Sequence, residues 1–219
     1  MGDRITFDCP GNTRTEGYLA QAGQSRGGII VLQEWWGLNP QICGVTHRFA
    51  AAGYNALAPD LYHGRVTQDP DEANHMMDGL DWVGATEVEV AGAIGYLKRE
   101  VDKVAVMGFC MGGALTVIAG VKLGQCDAAV CYYGIPPQEQ ADPAAMAVPF
   151  QGHFASRDDW CTPAAADALE AALGRSDSPC ELYRYEADHG FFNETVSAYD
   201  PSATELSWER TLAFLETHL

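Results

Sequence analysis

The chain has 219 residues, of which 47% are hydrophobic and 20% are charged, a composition typical of a globular domain without long disordered tracts. Its formal net charge is −17, from 30 acidic and 13 basic residues, and no segment concentrates lysine and arginine. Such a surface repels the phosphates of nucleic acids and of anionic membranes, so the composition excludes a nucleic-acid-binding or a membrane-binding function. We expect a single domain over residues 1–219, as a monomer or a homodimer.

The cysteines and the apolar segments limit the cellular context. Seven cysteines are scattered along the sequence without a C-x-x-C pair, which disfavours a disulfide framework or a zinc site. The sequence contains neither a signal-peptide pattern nor a run of about 18 apolar residues. We therefore expect a cytoplasmic protein that has no membrane span and no bound metal.

The first half of the chain is predicted to open with an antiparallel strand pair and then to alternate strands with helices. Residues 4–7 and 16–20 alternate apolar and polar side chains around a turn. Residues 28–33 form a nearly continuous apolar run, which is typical of a strand covered by helices on both faces. The next predicted elements are a helix from Asn39-Pro40 to about Gly53, a strand over residues 54–59, and a helical stretch from Asp69-Pro70 to about residue 99, broken near Gly79 and Gly84.

The second half continues this alternation. The predicted elements are strands over residues 103–107, 128–133, 149–155 and 181–185, a helix after residue 113, a helix from Thr162-Pro163 to Leu173, and a last helix that begins with a capping box formed by Ser202 and Glu205. The pattern predicts an α/β fold with a doubly wound, mostly parallel sheet flanked by helices. In such folds, ligands bind at the carboxyl ends of the strands.

One short segment indicates a nucleophile. Gly108-Phe109-Cys110-Met111-Gly112-Gly113 lies between a predicted strand and a predicted helix, which is the context of the G-x-S-x-G nucleophile elbow, here with cysteine in place of serine. The N-terminus of the following helix would favour a thiolate at Cys110. The alternative is a free cysteine in a glycine-rich turn.

A cysteine nucleophile needs a base, and the base needs an orienting acid. In a fold of this kind the acid and then the histidine follow the nucleophile, each just after a strand. His189 follows the predicted strand 181–185, and either Asp158 or Asp159 follows the strand 149–155. Asp158 lies nearer to the end of the strand, and the other aspartate would cap the turn before Thr162.

The end of the strand 28–33 supplies further candidate residues. Glu34 would be costly as an unpaired buried charge, so it is either an active-site carboxylate that controls the thiol proton or a structural residue bonded to backbone N–H groups. The backbone N–H groups of Trp35 and Met111 are predicted to form the oxyanion hole. Five aromatic residues are either lining of an apolar pocket or plain core: Trp35, Trp36, Tyr62, Trp82 and Trp160.

Four blocks of the sequence resemble the dienelactone hydrolase (carboxymethylenebutenolidase) family of the α/β-hydrolase superfamily. They match in order and spacing over nearly the whole chain: Gln33-Glu34-Trp35-Trp36-Gly37-Leu38-Asn39, Ala58-Pro59-Asp60-Leu61-Tyr62, Gly108-Phe109-Cys110-Met111-Gly112-Gly113 and His189-Gly190-Phe191. The resemblance implies that Cys110, Asp158 and His189 form a triad and that Glu34 holds the resting thiol. It also implies that the protein uses no cofactor and no metal.

The sequence departs from this family at the residues that recognise the substrate. Family members that open dienelactones hold the substrate carboxylate with arginines, but residues 66–98 contain no arginine and the position four residues after His189 is Asn193. We expect a hydrolase of small carboxylic esters, lactones or thioesters that acts through an acyl-cysteine intermediate. The alternatives are a broad small-ester carboxylesterase and a non-catalytic scaffold that serves as a small-molecule receptor or a thiol sensor.

Overall fold

The structure, a computed structural model, describes residues 2–137 and 139–219 and contains one eight-stranded sheet. The strand order is β1-β2-β4-β3-β5-β6-β7-β8; β1 and β2 run antiparallel to their neighbours, and the other strands are parallel. The strands are β1 (Asp3–Cys9), β2 (Thr13–Ala20), β3 (Gly28–Leu32), β4 (Asn55–Pro59), β5 (Val104–Phe109), β6 (Ala128–Tyr132), β7 (Phe150–Arg157) and β8 (Cys180–Asp188). This arrangement confirms the predicted doubly wound, mostly parallel sheet.

The helices connect the parallel strands. They are α1 (Pro40–Ala51), α2 (Pro70–Asp78), α3 (Trp82–Gly84), α4 (Ala91–Leu97), α5 (Met111–Lys122), α6 (Pro163–Leu173) and α7 (Pro201–His218), with a π-helical segment at Ala85–Val90 between α3 and α4. Four of them begin at a proline that follows a side-chain cap, because proline lacks the N–H that would be unpaired there. None of the helices in the described ranges is long and apolar enough to cross a membrane.

Alternate residues of each central strand face opposite layers of helices. On β3, Ile29 and Val31 pack in the core beneath α1 and α7, whereas Ile30 and Leu32 pack in the core beneath α4, α5 and α6. All five residues of this strand are fully buried, which explains why its sequence shows no polar alternation. The helices therefore cover both faces and leave the carboxyl ends of the strands as the open edge.

Two local predictions are wrong. Gly84 has helical dihedral angles and does not interrupt the helix, which continues from α3 through the π-helical segment into α4. The predicted capping box at Ser202 and Glu205 is also absent, because α7 begins earlier: Asp200 is its cap and accepts a hydrogen bond from the N–H of Ala203. The pair Asp200-Pro201 carries the same signal that correctly located α1 and α2.

A buried histidine joins β7, β8 and α7 through hydrogen bonds. His153 is fully buried, with Nδ1 2.8 Å from the hydroxyl of Tyr185 and Nε2 2.8 Å from Oε1 of Gln151. The amide nitrogen of Gln151 donates elsewhere, so its oxygen accepts the proton on Nε2, and Nδ1 accepts from Tyr185. Burial, together with the positive charge of Arg210, lowers the pKa of His153 to about 3.

This histidine should make the protein less stable in acid. The folded protein keeps His153 neutral, whereas in the unfolded chain it takes up a proton below about pH 6.5, so stability falls as the pH drops below that value. We expect this residue alone to remove about 2 kcal/mol of unfolding free energy between pH 7 and pH 5. Urea unfolding measures the free energy of unfolding at pH 7 and at pH 5. The difference between the two values should be smaller in His153→Asn than in the wild type by about 2 kcal/mol. An unchanged difference would contradict this explanation.

Candidate active site

The predicted site residues meet at the carboxyl ends of the parallel strands. Glu34 follows β3, Cys110 follows β5, Asp158 follows β7, and His189 follows β8. The chain passes from β3 outward to β4 and then back across to β5, so Glu34 and Cys110 flank the point where the strand order reverses. Ligands of open α/β sheets bind at such a point.

The turn between β5 and α5 is strained at the candidate nucleophile. Cys110 has φ 52° and ψ −115°, a conformation that residues with a Cβ seldom adopt. The turn also brings the backbone of α5 very close to β3: a Cβ on Gly112 would lie 2.5 Å from the carbonyl oxygens of Leu32 and Gln33. Glycine is therefore required at position 112 for this turn to form, and Cys110 is left partly exposed at its apex.

The structure brings Cys110, His189 and Asp158 together. Nδ1 of His189 lies 2.7 Å from Oδ2 of Asp158, a buried carboxylate, whereas Asp159 is exposed. Oδ1 of Asp158 accepts hydrogen bonds from the N–H groups of Trp160 at 2.7 Å and Cys161 at 2.8 Å. Nε2 of His189 is buried and has no hydrogen-bond partner among the described residues, and the side chain of Cys110 is close enough to alter the pKa of the ring.

The electrostatics of the three residues stabilise the imidazolium that forms when His189 takes the thiol proton. Burial opposes the charge on His189, but the hydrogen bond with Asp158 and the negative sulfur of Cys110 outweigh it and raise the pKa of His189 beside the thiolate to about 10. Burial likewise opposes the charge on Asp158, yet its bonds to His189 and to the backbone lower its pKa. Burial raises the pKa of the Cys110 thiol, and the negative charge of Glu34 raises it further. His189 acts in the opposite direction and lowers this pKa.

Among the described residues, Glu34 is held by two side chains and not by backbone N–H groups. Its Oε2 accepts a hydrogen bond from the amide of Asn193 at 2.6 Å, and its Oε1 accepts one from the hydroxyl of Tyr133 at 3.1 Å. Burial raises the pKa of Glu34, although both hydrogen bonds oppose this shift. Both carboxylate oxygens are thus engaged by neutral donors, and within the described residues no hydrogen bond joins Glu34 to the thiol of Cys110.

The two backbone N–H groups predicted to form an oxyanion hole lie in different elements of the fold. Met111 is the first residue of α5, so its N–H has no acceptor within the helix. Trp35 lies in the turn after β3, and its N–H has no backbone acceptor in the described part of the chain. Met111 follows Cys110 in the sequence, and Trp35 lines the same cavity as Cys110, just after the strand β3 that pairs with β5.

A cavity of about 300 Å³ opens onto the thiol. Its lining includes Cys110, His189, Glu34 and three tryptophans, Trp35, Trp36 and Trp160. The ring of Trp35 lies edge-on to those of Trp36 and Trp160, each 5.0 Å away, so the three indoles form one aromatic wall. The other two aromatic candidates lie elsewhere: the buried hydroxyl of Tyr62 donates to the sulfur of Met111, and Trp82 is partly buried against the core.

One group of side chains at the site has the composition of a metal site. Asp158, Cys161 and His189 offer ligand atoms that all lie within 4.8 Å of one another. The aspartate and the histidine are bonded to each other, and the thiol of Cys161 donates to the carbonyl of Tyr133 at 3.2 Å. These hydrogen bonds account for the cluster.

Sequence reasoning missed the two residues that hold Glu34. Tyr133 is the residue after β6, where it adopts φ 36°, and its ring packs edge-on against His189 with 5.0 Å between centroids. Asn193 is the residue noted as occupying the place of a family arginine. That position, four residues after the histidine, was the one available signal that the side chain faces the site.

Comparisons with known proteins identify the family of the chain. The profile of the dienelactone hydrolase family matches residues 15–219. The chain is 29% identical to Protein usf of Aquifex pyrophilus, over 100% of both chains. It is 27% identical to the carboxymethylenebutenolidase of Pseudomonas sp. strain P51, over 99% of this chain and 95% of that protein.

A solved structure from Klebsiella pneumoniae, described as a candidate dienelactone hydrolase, has the same fold. Its TM-score is 0.86 at 22% sequence identity, over 98% of each chain. This likeness confirms the predicted α/β-hydrolase fold. Since the family profile extends over nearly the whole sequence, the chain belongs to the dienelactone hydrolase family and is a hydrolase that acts on ester or lactone bonds.

Proposed function

We propose that the protein hydrolyses small carboxylic esters or lactones through an acyl-cysteine intermediate on Cys110. The observation that carries this proposal is the alignment of Cys110, His189 and Asp158 around the cavity, with the Asp158 carboxylate 2.7 Å from Nδ1 of His189. That bond fixes the ring proton on Nδ1 and leaves Nε2 to serve as the base for the thiol.

In the first half of the reaction, the sulfur of Cys110 attacks the substrate carbonyl carbon while the thiol proton passes to Nε2 of His189. The N–H groups of Trp35 and Met111 donate to the oxygen that becomes negative in the tetrahedral intermediate. Collapse of the intermediate breaks the bond to the leaving oxygen, and His189 returns the proton to it. Water then attacks the thioester with His189 as base, which releases the acid and restores the thiol.

Glu34 controls the thiol proton in this proposal. Its negative charge raises the pKa of Cys110, so the attacking thiolate is disfavoured while Glu34 is ionised. Burial raises the pKa of Glu34 itself, and the hydrogen-bond donors that it has among the described residues are both neutral. A substrate that excludes water from the cavity raises this pKa further and favours uptake of a proton, which removes the opposing charge beside the sulfur.

Trapping the intermediate tests the proposal. Rapid acid quenching during turnover of p-nitrophenyl acetate, followed by peptide mass spectrometry, should find one acetyl group on the peptide that contains Cys110. Hydroxylamine should remove it, as expected for a thioester. The six other cysteines provide the internal control and should stay unmodified on the time scale of one turnover. Turnover without an acetyl group on Cys110 would contradict the proposal.

A further inference from the structure

A second open cleft, of about 660 Å³, lies beside the catalytic cavity. Trp36 and Val196 line both spaces, so the cleft and the cavity adjoin each other. The cleft is bounded by the start of α1, by residues 66–68 and by the loop that follows His189. It therefore adjoins the catalytic cavity at Trp36 and Val196.

The lining of this cleft carries no charge. One fifth of the residues in the chain are charged, yet all nine residues that line the cleft are neutral. Besides Trp36 and Val196, the walls present amides and hydroxyls from Asn39, Gln41 and Thr195. A carboxylate or phosphate would find no cation here, whereas a neutral group with several hydrogen-bonding atoms would find both donors and acceptors.

One of these side chains has an unused acceptor. Gln41 is 6% exposed, and its Oε1 is buried without a hydrogen-bond partner among the described residues. Its Nε2 lies 3.5 Å from the carboxylate of Glu194, which identifies the other end of the amide as the oxygen. An unpaired buried acceptor is costly, and the terminal torsion of glutamine turns easily, so a donor in the cleft would relieve the deficit.

The direction of the reaction decides which part of a substrate reaches the cleft. His189 gives its proton to the leaving alcohol, so the alcohol part of an ester departs on the side of the imidazole. Val196 lies on the loop after His189 and borders the cleft. Cys110, His189 and Val196 all line the smaller cavity of about 300 Å³, so an alcohol part that leaves past the imidazole and Val196 extends from this cavity towards the cleft, while the acyl part stays beside Cys110.

We propose that this cleft is a second subsite, which binds the alcohol part of an ester when that part is uncharged and rich in hydroxyl groups, such as a sugar or another polyol. The indole of Trp36 packs against the C–H face of the ring, and the amides of Asn39 and Gln41 bond its hydroxyls. This assignment rests on the proposed function, because it places the scissile ester at Cys110.

A pair of matched esters tests the subsite. Methyl 6-O-acetylglucopyranoside and cyclohexylmethyl acetate are both acetates of a primary alcohol on a six-membered ring, and only the first carries hydroxyl groups. We expect kcat/KM for the sugar ester to exceed that for the cyclohexyl ester by about tenfold. In Gln41→Met, which keeps the length of the side chain and removes the acceptor, this ratio should fall about tenfold through KM.

Gln125→Met is the matched control, because Gln125 is exposed between α5 and β6 and should leave the ratio unchanged. Saturation-transfer NMR with methyl glucopyranoside measures the subsite without catalysis. A wild-type ratio of one or less, a ratio that survives Gln41→Met, or the absence of glucoside binding would overturn the subsite. Glucoside binding that is lost in Gln41→Met, in a protein that hydrolyses no ester, would support the subsite and refute the proposed function.

Discussion

The Cys110→Ala variant should lose at least about 10⁴-fold in kcat/KM for p-nitrophenyl acetate. In the proposed mechanism, the replacement removes the sulfur that forms the acyl bond and leaves the proposed oxyanion donors and His189 in place. What remains is the modest acceleration that binding and the oxyanion hole provide without a nucleophile. Steady-state release of p-nitrophenol at several enzyme concentrations measures the effect.

The fold of this variant should persist. Cysteine and alanine both carry a Cβ, so the strain at φ 52° is the same in both, and the side chain is partly exposed. Cys180→Ala is the matched control: that cysteine is also partly exposed but begins β8, at the opposite edge of the sheet from the site. We expect its activity to stay within about twofold of the wild type. A fully active Cys110→Ala enzyme would assign the nucleophile to another residue.

The residues of the site that the sequence identified are those positioned by local structure. The elbow around Cys110 requires a strand, a tight turn with Gly112 at its closest contact, and a helix. These three elements follow one another directly in the sequence, so their pattern can be recognised there. His189 and Asp158 follow predicted strands, so the parallel order of the sheet was enough to place both at one edge.

The side chains that bond Glu34 reach it through contacts between distant parts of the chain, and such contacts produce no recognisable pattern in the sequence. Tyr133 is 99 residues away from Glu34 in the sequence and Asn193 is 159 residues away. Each side chain reaches the carboxylate because of the strand order and a loop conformation that single-sequence periodicity does not encode. The cleft beside Trp36 was hidden for the same reason, since its walls come from three separate segments.

The choice between the two adjacent aspartates leads to the second large effect. Asp158→Asn should lower kcat/KM by about 10³- to 10⁴-fold. Oδ1 of Asp158 accepts from the backbone N–H groups of Trp160 and Cys161, so the asparagine oxygen should keep these bonds. Its NH₂ group then faces Nδ1 of His189, which must become the acceptor. The ring proton moves to Nε2, and the base can no longer take the thiol proton from Cys110.

Asp159→Asn makes the same chemical change one residue away and serves as the control. Asp159 is exposed and makes no hydrogen bond with His189, so we expect its activity to change by no more than about twofold. Initial rates with p-nitrophenyl acetate, measured beside thermal unfolding of both variants, separate a catalytic loss from a folding defect. Equal losses in the two variants, or a larger loss in Asp159→Asn, would show that the hydrogen bond between Asp158 and His189 does not set the tautomer of the catalytic ring.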